Sequence, residues 1–68
     1  MLVNGDSREV DAGVSVAELV AELVPESGGS ARWVAVERND EIVPRAAWSA
    51  TRLRPGDRIE IVRFVQGG

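Results

Sequence analysis

The strongest periodic signal along the chain lies between Val14 and Pro25. Val16, Leu19, Val20, Leu23 and Val24 fall at i, i+3, i+4, i+7 and i+8, which is one apolar stripe at helical period. Ala17, Glu18, Ala21 and Glu22 take the other side. Ser15-Val16-Ala17-Glu18 has the form of a capping box, in which the Ser15 hydroxyl accepts from the Glu18 amide and the Glu18 carboxylate reaches back to Ser15. Val14 before the cap and Leu19 after it have the spacing of a hydrophobic staple. Pro25 cannot donate to a helical ladder and ends the helix.

Elsewhere the pattern is that of strands. Met1-Leu2-Val3-Asn4 begins one, Gly5-Asp6 reads as a turn pair, and Ser7 to Val10 reads as the returning arm. Glu26 to Ser30, with Gly28-Gly29, reads as a loop. Trp33 to Glu37 is apolar and β-rich. Asn39-Asp40 then separates it from Glu41-Ile42-Val43, which predicts a tight hairpin, because Asn and Asp tolerate a left-handed backbone. Pro44 stops the second arm. Ala46-Ala47-Trp48 suits a single helical turn, and Pro55-Gly56-Asp57 a tight turn. Arg58 to Val65 is the last and longest strand candidate.

The predicted order is β-β-α-β-β-β: an α+β fold with a mixed sheet of four to five strands laid over the apolar stripe of one main helix. The expected core is Leu2, Val10, Val16, Leu19, Val20, Leu23, Val34, Val36, Ile42, Leu53, Ile59 and Ile61. Trp33 and Trp48 are read as core or rim packing in preference to ligand binding.

One strand does not finish its pattern. If Ile59 and Ile61 face the helix, alternation turns Glu60, Val62 and Phe64 to the opposite face, which a one-layer sheet leaves in water. Val65 follows beside the end of the chain. A bulge would rescue one of these residues. Two apolar residues on one exposed face otherwise mark a partner surface.

Composition narrows the chemistry. The chain has 68 residues, enough for one domain, with no Cys and no His. That removes disulfides, thiol nucleophiles, structural zinc of the Cys/His type and imidazole acid–base catalysis. No nucleophile–base pair and no G-x-x-x-x-G-K phosphate loop is present, so a free-standing enzyme is not expected. The start of the chain lacks a charged leader before an apolar core, and no apolar run approaches the ~20 residues of a membrane span; the expectation is a cytoplasmic protein with no membrane partner. The net charge of −3 argues against nucleic-acid binding. The distribution is uneven: residues 1–44 carry three Arg against nine acids, and residues 45–68 carry five Arg against two. All eight basic residues are Arg, so no side-chain amine competes for an activated carboxyl group.

The sequence closes on Gly67-Gly68. Glycine lacks Cβ, so two in succession form a thin thread whose carboxyl is not crowded by a side chain. Val65 to Gly68 spans roughly 13 Å when extended. An adenylating enzyme can grip the body while its nucleotide site holds such an end. The competing reading is a frayed terminus.

Taken together, these residues resemble the ubiquitin-like β-grasp sulfur carriers, and several stretches are similar to the ThiS family. They are Val34-Ala35-Val36-Glu37-Arg38-Asn39, then Glu41-Ile42-Val43-Pro44-Arg45 with Trp48, then Leu53-Arg54-Pro55-Gly56-Asp57-Arg58-Ile59-Glu60-Ile61, and finally Val65-Gln66-Gly67-Gly68. The resemblance covers essentially the whole chain. Asn39-Asp40, where many relatives have Asn-Gly, is a departure that touches turn geometry.

The resemblance implies a β-grasp domain over residues 1–64, with the first and last strands parallel at the sheet centre, and a flexible tail over 65–68. It also implies a cycle. An E1-like enzyme of the ThiF type, using ATP and magnesium, adenylates the carboxylate of Gly68. A persulfide from a cysteine desulfurase or another donor converts it to a thiocarboxylate. A thiazole synthase of the ThiG type accepts the sulfur in thiamine biosynthesis. The carrier is then a protein co-substrate with no bound cofactor or metal. Gly68 reacts, Gly67 gives clearance, and Val62, Phe64 and Val65 supply docking area with Arg63 and Arg45. Two alternatives stay open: a carrier of the same fold that feeds molybdopterin, tRNA thiolation or cysteine and methionine synthesis, and a ubiquitin-like protein modifier.

Overall fold

The computed structural model describes residues 1–24 and 34–63. It contains β1 (Leu2–Val3), β2 (Asp6–Ser7), α1 (Val16–Leu23), β3 (Val34–Arg38), β4 (Glu41–Val43), a 3-10 turn (Arg45–Ala47) and β5 (Arg58–Arg63). The five strands form one sheet in the order β2-β1-β5-β3-β4. β1 and β5 run parallel, and the other neighbours run antiparallel. This is the expected mixed sheet on one helix, with β5 at its centre and β1 beside it.

Turn chemistry sets the register. Asn39 and Asp40 both have positive φ, 51° and 70°, as a two-residue hairpin turn of mirror-image hand requires. That turn pairs Arg38 with Glu41 and Glu37 with Ile42. The first hairpin uses the same device one residue earlier than Gly5-Asp6. Asn4 and Gly5 take φ 52° and 84°, and Val3 pairs with Asp6. Asparagine visits the left-handed region almost as readily as glycine does, so Asn4 leaves the strand and Asp6 joins the return arm. Only Asp6–Ser7 then counts as strand, although the Arg8 amide still donates to the Met1 carbonyl at 2.9 Å. Gly56, at φ 86°, completes the Pro55-Gly56 turn, which the Asp57 amide closes on the Arg54 carbonyl at 3.1 Å.

The helix begins where its cap dictates. The Glu18 amide donates to Ser15 Oγ at 3.1 Å, and the Ser15 amide donates to Glu18 Oε1 at 3.2 Å. The first helical amides have no partner within the helix and need others. Val16 N–H goes to the Thr51 carbonyl at 2.9 Å and Ala17 N–H to the Trp48 carbonyl at 3.2 Å. The connection from β4 to β5 is thereby tied to the helix start, and Ser15 makes an isolated bridge to Arg52. Val24 caps the far end, and Pro25 lies outside the described residues.

The core between helix and sheet consists of Val3, Val16, Leu19, Val20, Val24, Val36, Trp48, Leu53 and Ile59. Val10, Leu23, Val34 and Ile61 pack against it while half-buried. Two expected core residues are not there. Leu2 is 42% exposed and Ile42 is 70% exposed. Alternation explains both: the register points Val3 and Val43 inward, so the neighbours Leu2 and Ile42 take the open face. Trp48 is core, as its packing reading expected, and its indole N–H donates to the Val43 carbonyl at 2.9 Å. Trp33 and the Gly28-Gly29 loop lie outside the described residues. Among the described residues, no helix is long and apolar enough to cross a membrane.

Candidate functional site: the central strand and its open face

Every group proposed to act or dock, except Arg45, belongs to β5 or follows it. β5 occupies the sheet centre because its two neighbours hold it differently. β3 pairs with it along its full length, from Arg38↔Ile59 to Val34↔Arg63. β1 pairs only at Leu2↔Arg58 and Val3↔Ile59.

The alternation expected along β5 is observed. Ile59 is fully buried against the helix and Ile61 is half-buried, whereas Glu60 is exposed and Val62 is 42% exposed on the opposite face. Val62 lies across from Ala35, and Glu60 lies across from Glu37, which in turn pairs with the exposed Ile42. The open face therefore carries apolar residues around two opposed carboxylates. Like charges placed directly opposite each other oppose strand pairing.

Arg63 is exposed at the end of β5. Arg45 is also exposed, and its guanidinium stands 5.3 Å from the centre of the Trp48 ring, in the range of a cation–π contact. Register puts Val43, Val36 and Ile61 in one row, so Arg45 lies past the end of β4, toward the same end of the sheet as Val62 and Arg63 but two strands away. Phe64, Val65, Gly67 and Gly68 lie outside the described residues, as does the boundary expected between residues 64 and 65.

Sequence reasoning missed the polar cluster that starts β5. Asp57 is 6% exposed and accepts from Arg54 N–H at 2.8 Å, Arg38 Nε at 2.9 Å and Asn39 Nδ2 at 3.1 Å. Burial alone pushes the Asp57 carboxyl up. The hydrogen bonds from Arg54, Arg38 and Asn39 and the Arg38 charge outweigh it and hold the group below its ordinary value. Asn39 Oδ1 also accepts from the Arg58 amide at 2.9 Å. The signal available was Arg38-Asn39 in one turn and Asp57 in another, but nothing local says that the two turns meet. Among the described residues, no group of three or more Asp or Glu side chains is placed to hold a metal ion.

Comparison with known proteins places this arrangement. The model of the ThiS family matches residues 1–68. The chain is 41% identical over 68 residues to a thiazole synthase of Paramagnetospirillum magneticum, and 36% identical over 66 residues to one of Magnetococcus marinus. It spans all or nearly all of its own length in these matches but only about a fifth of theirs, 20% and 19%. Against the sulfur carrier protein ThiS of Escherichia coli K12 the identity is 31% over 68 residues, covering 97% of that protein. A crystal structure of the thiamine biosynthesis protein ThiS from Geobacter metallireducens superposes with a TM-score of 0.73 at 33% identity, covering 98% of this chain and 96% of that one. The fold is accordingly the ThiS β-grasp, and this chain belongs to the ThiS family.

Proposed function

We propose that the chain is a sulfur carrier that delivers a thiocarboxylate for thiazole formation in thiamine biosynthesis. The observation that carries the reading is its similarity to the Escherichia coli sulfur carrier over the whole of this chain and 97% of that protein. The two thiazole synthases with a matching stretch favour thiazole over the other sulfur acceptors.

The chemistry falls on Gly68. Its carboxylate attacks the α-phosphorus of ATP on a ThiF-type enzyme with magnesium, releasing pyrophosphate and leaving an acyl adenylate. A persulfide sulfur, from a cysteine desulfurase or another donor, displaces AMP. A thiol then cleaves the acyl disulfide, leaving the Gly68 thiocarboxylate and a disulfide on the donor side. A ThiG-type synthase takes the sulfur, and the carboxylate is regenerated. The chain is a co-substrate in this scheme: it supplies an acyl group and a docking body, while the partner enzymes supply nucleotide, metal and general acid–base groups. Gly67 keeps the approach to the acyl carbon free of side-chain bulk. Val62, on the open face of the central strand, contributes apolar contact, with Arg63, Arg45, Phe64 and Val65 as further docking residues.

The test is intact mass after incubation with a ThiF-type enzyme, ATP, magnesium and a persulfide donor. The expected result is a mass gain equal to replacing one oxygen by sulfur, mapped to Gly68. A chain without Gly68 is expected to keep its fold and take up no sulfur. Free carboxylate alone, with active partner enzymes present, overturns the carrier reading. A loaded chain that yields no thiazole with a ThiG-type synthase overturns the choice of acceptor.

A further inference from the structure

β5 outruns its neighbour β1. Three hydrogen bonds show which way its main chain faces. The Leu2 amide donates to the Asp57 carbonyl at 3.0 Å, the Asn4 amide donates to the Ile59 carbonyl at 2.9 Å, and the Ile61 amide donates to Asn4 Oδ1 at 2.7 Å. Odd-numbered residues therefore turn their N–H and C=O groups toward β1, and even-numbered ones turn theirs toward β3. By the same alternation the Ile61 carbonyl and both main-chain groups of Arg63 face the β1 side.

No described strand meets them there. Strand pairing of β1 with β5 ends at Val3↔Ile59, because the left-handed Asn4 and Gly5 turn the chain away into β2. The Asn4 side chain supplies one more rung, and among the described residues the ladder goes no further. On the other side β3 accompanies β5 as far as Val34↔Arg63. The β3–β5 ribbon thus extends past the first hairpin and, among the described residues, leaves a half-edge inside the sheet. Beside that hairpin's end is a cavity of about 280 Å³ lined by Val3, Asn4, Asp6, Ser7, Arg8 and Leu23, the last being the final residue of the helix.

We propose that this half-edge receives an extended backbone segment of the ThiG-type synthase, which takes up the line of β1 in the sheet. The inference rests on the proposed function and deepens it. The occupant follows from the groups on offer. An acceptor at Ile61 and a donor and acceptor at Arg63, spaced two residues apart on one strand edge, are matched by the main chain of another extended strand. Side chains of the incoming segment alternate. One set faces the helix side of the sheet, the side on which Ile59 and Ile61 lie. The other set lies on the open face beside Val62. The synthase is favoured over other owners of such a segment because two relatives join a ThiS-like stretch and a thiazole synthase in one chain. The half-edge also lies on the strand that leads toward Gly67 and Gly68, so clamping Arg63 fixes where the reacting thread starts.

Proline at position 63 gives a clean test, because it deletes an N–H that faces away from β3. Binding of the full chain to a ThiG-type synthase is measured for Arg63→Ala and Arg63→Pro, with amide hydrogen exchange on the free and bound unaltered chain. The expected result is that Arg63→Pro weakens binding at least about fivefold beyond Arg63→Ala. The Glu60 and Val62 amides, which face β3, keep their protection in both variants. In the unaltered complex, exchange at the Arg63 amide slows. Equal binding by the two variants, or an Arg63 amide that exchanges at the same rate free and bound, overturns the proposal. Arg63 protection that rises with chain concentration in the absence of synthase assigns the edge to a second copy and also overturns it. Binding and sulfur transfer with an unprotected Arg63 overturn the edge alone. No binding by the unaltered chain overturns both the edge and the choice of synthase as acceptor.

Discussion

Arg38 and Asp57 lie 19 residues apart in the chain and meet through one charge-assisted hydrogen bond, Nε to Oδ2 at 2.9 Å. Asp57 is buried and Arg38 is partly exposed, so the carboxylate is the partner that depends on the pairing. With the Arg54 amide and Asn39 Nδ2 also donating to Asp57, the turn at 39–40 and the turn at 55–56 are locked together. β5 starts at the next residue, so this contact fixes where the central strand enters the sheet.

That contact makes stability pH-dependent. The Asp57 carboxyl titrates lower in the folded chain than in the unfolded one, so the unfolded state binds more protons as acid is added. The stabilisation from Asp57 is complete above its unfolded pKa, about 3.9, and is lost as pH falls through the lower folded value. Asp57→Asn is expected to cost about 1–3 kcal/mol at neutral pH. It is also expected to flatten the acid limb of a plot of stability against pH. Urea denaturation from roughly pH 2 to pH 7 checks both effects. An unchanged acid limb in the variant shows that other carboxylates govern it.

Asn4 has two separable roles. Its backbone adopts φ 52°, and its Oδ1 accepts from the Ile61 amide at 2.7 Å. Asn4→Gly keeps the turn and loses the rung, for an expected cost of about 1 kcal/mol. Asn4→Ala loses both, for about 2–3 kcal/mol. In each variant the Ile61 amide is expected to exchange faster. Chemical denaturation with site-resolved hydrogen exchange tests the ranking; equal costs for Gly and Ala show that the left-handed backbone contributes nothing.

The contrast between Asn4 and Asn39 shows what the sequence made legible. The hairpin at Asn39-Asp40 was readable because two β-rich runs flank a pair of residues tolerant of left-handed φ. At Asn4-Gly5 the strands are two residues long, and a one-residue shift of the turn exchanges Leu2 and Val3 between faces. The start of the helix and its buried stripe were legible, since cap and stripe are local. Ile59, Ile61 and Val62 were placed on the correct faces because alternation along one long strand is also local. Ile42 was misplaced because a three-residue strand carries too little pattern to say which face its middle residue takes. The Asp57 cluster and the end of the β1–β5 pairing at Val3↔Ile59 were not legible. Both depend on which distant segments become neighbours and where a neighbour stops.

The helix cap offers a further test. Ser15 is buried, and its Oγ is the acceptor for the Glu18 amide. Ser15→Ala is expected to lower stability by about 1–2 kcal/mol, read as a shift in the urea midpoint with an unchanged slope. Glu18→Ala is expected to cost less. Its carboxylate bonds sit on an exposed side chain, whose ion pair with Arg52 spans 3.5 Å. A larger loss for Glu18→Ala than for Ser15→Ala reverses this ranking of the two halves of the cap.

Ile59 and Val62 separate packing from docking on a single strand. Ile59 is fully buried and touches the helix side, so Ile59→Ala is expected to cost about 2–5 kcal/mol through lost contact and a residual cavity. Val62 is 42% exposed on the other face, and Val62→Ser is expected to cost less than about 1 kcal/mol. Its effect is expected on partner binding instead, where the loss of an apolar contact near the carrier end weakens association with a ThiF-type or ThiG-type enzyme several-fold. Thermal denaturation of both variants, paired with binding titrations of Val62→Ser, checks the assignment. If Val62→Ser melts as early as Ile59→Ala, the open face is part of the stabilising core, and the docking surface must be sought elsewhere on the chain.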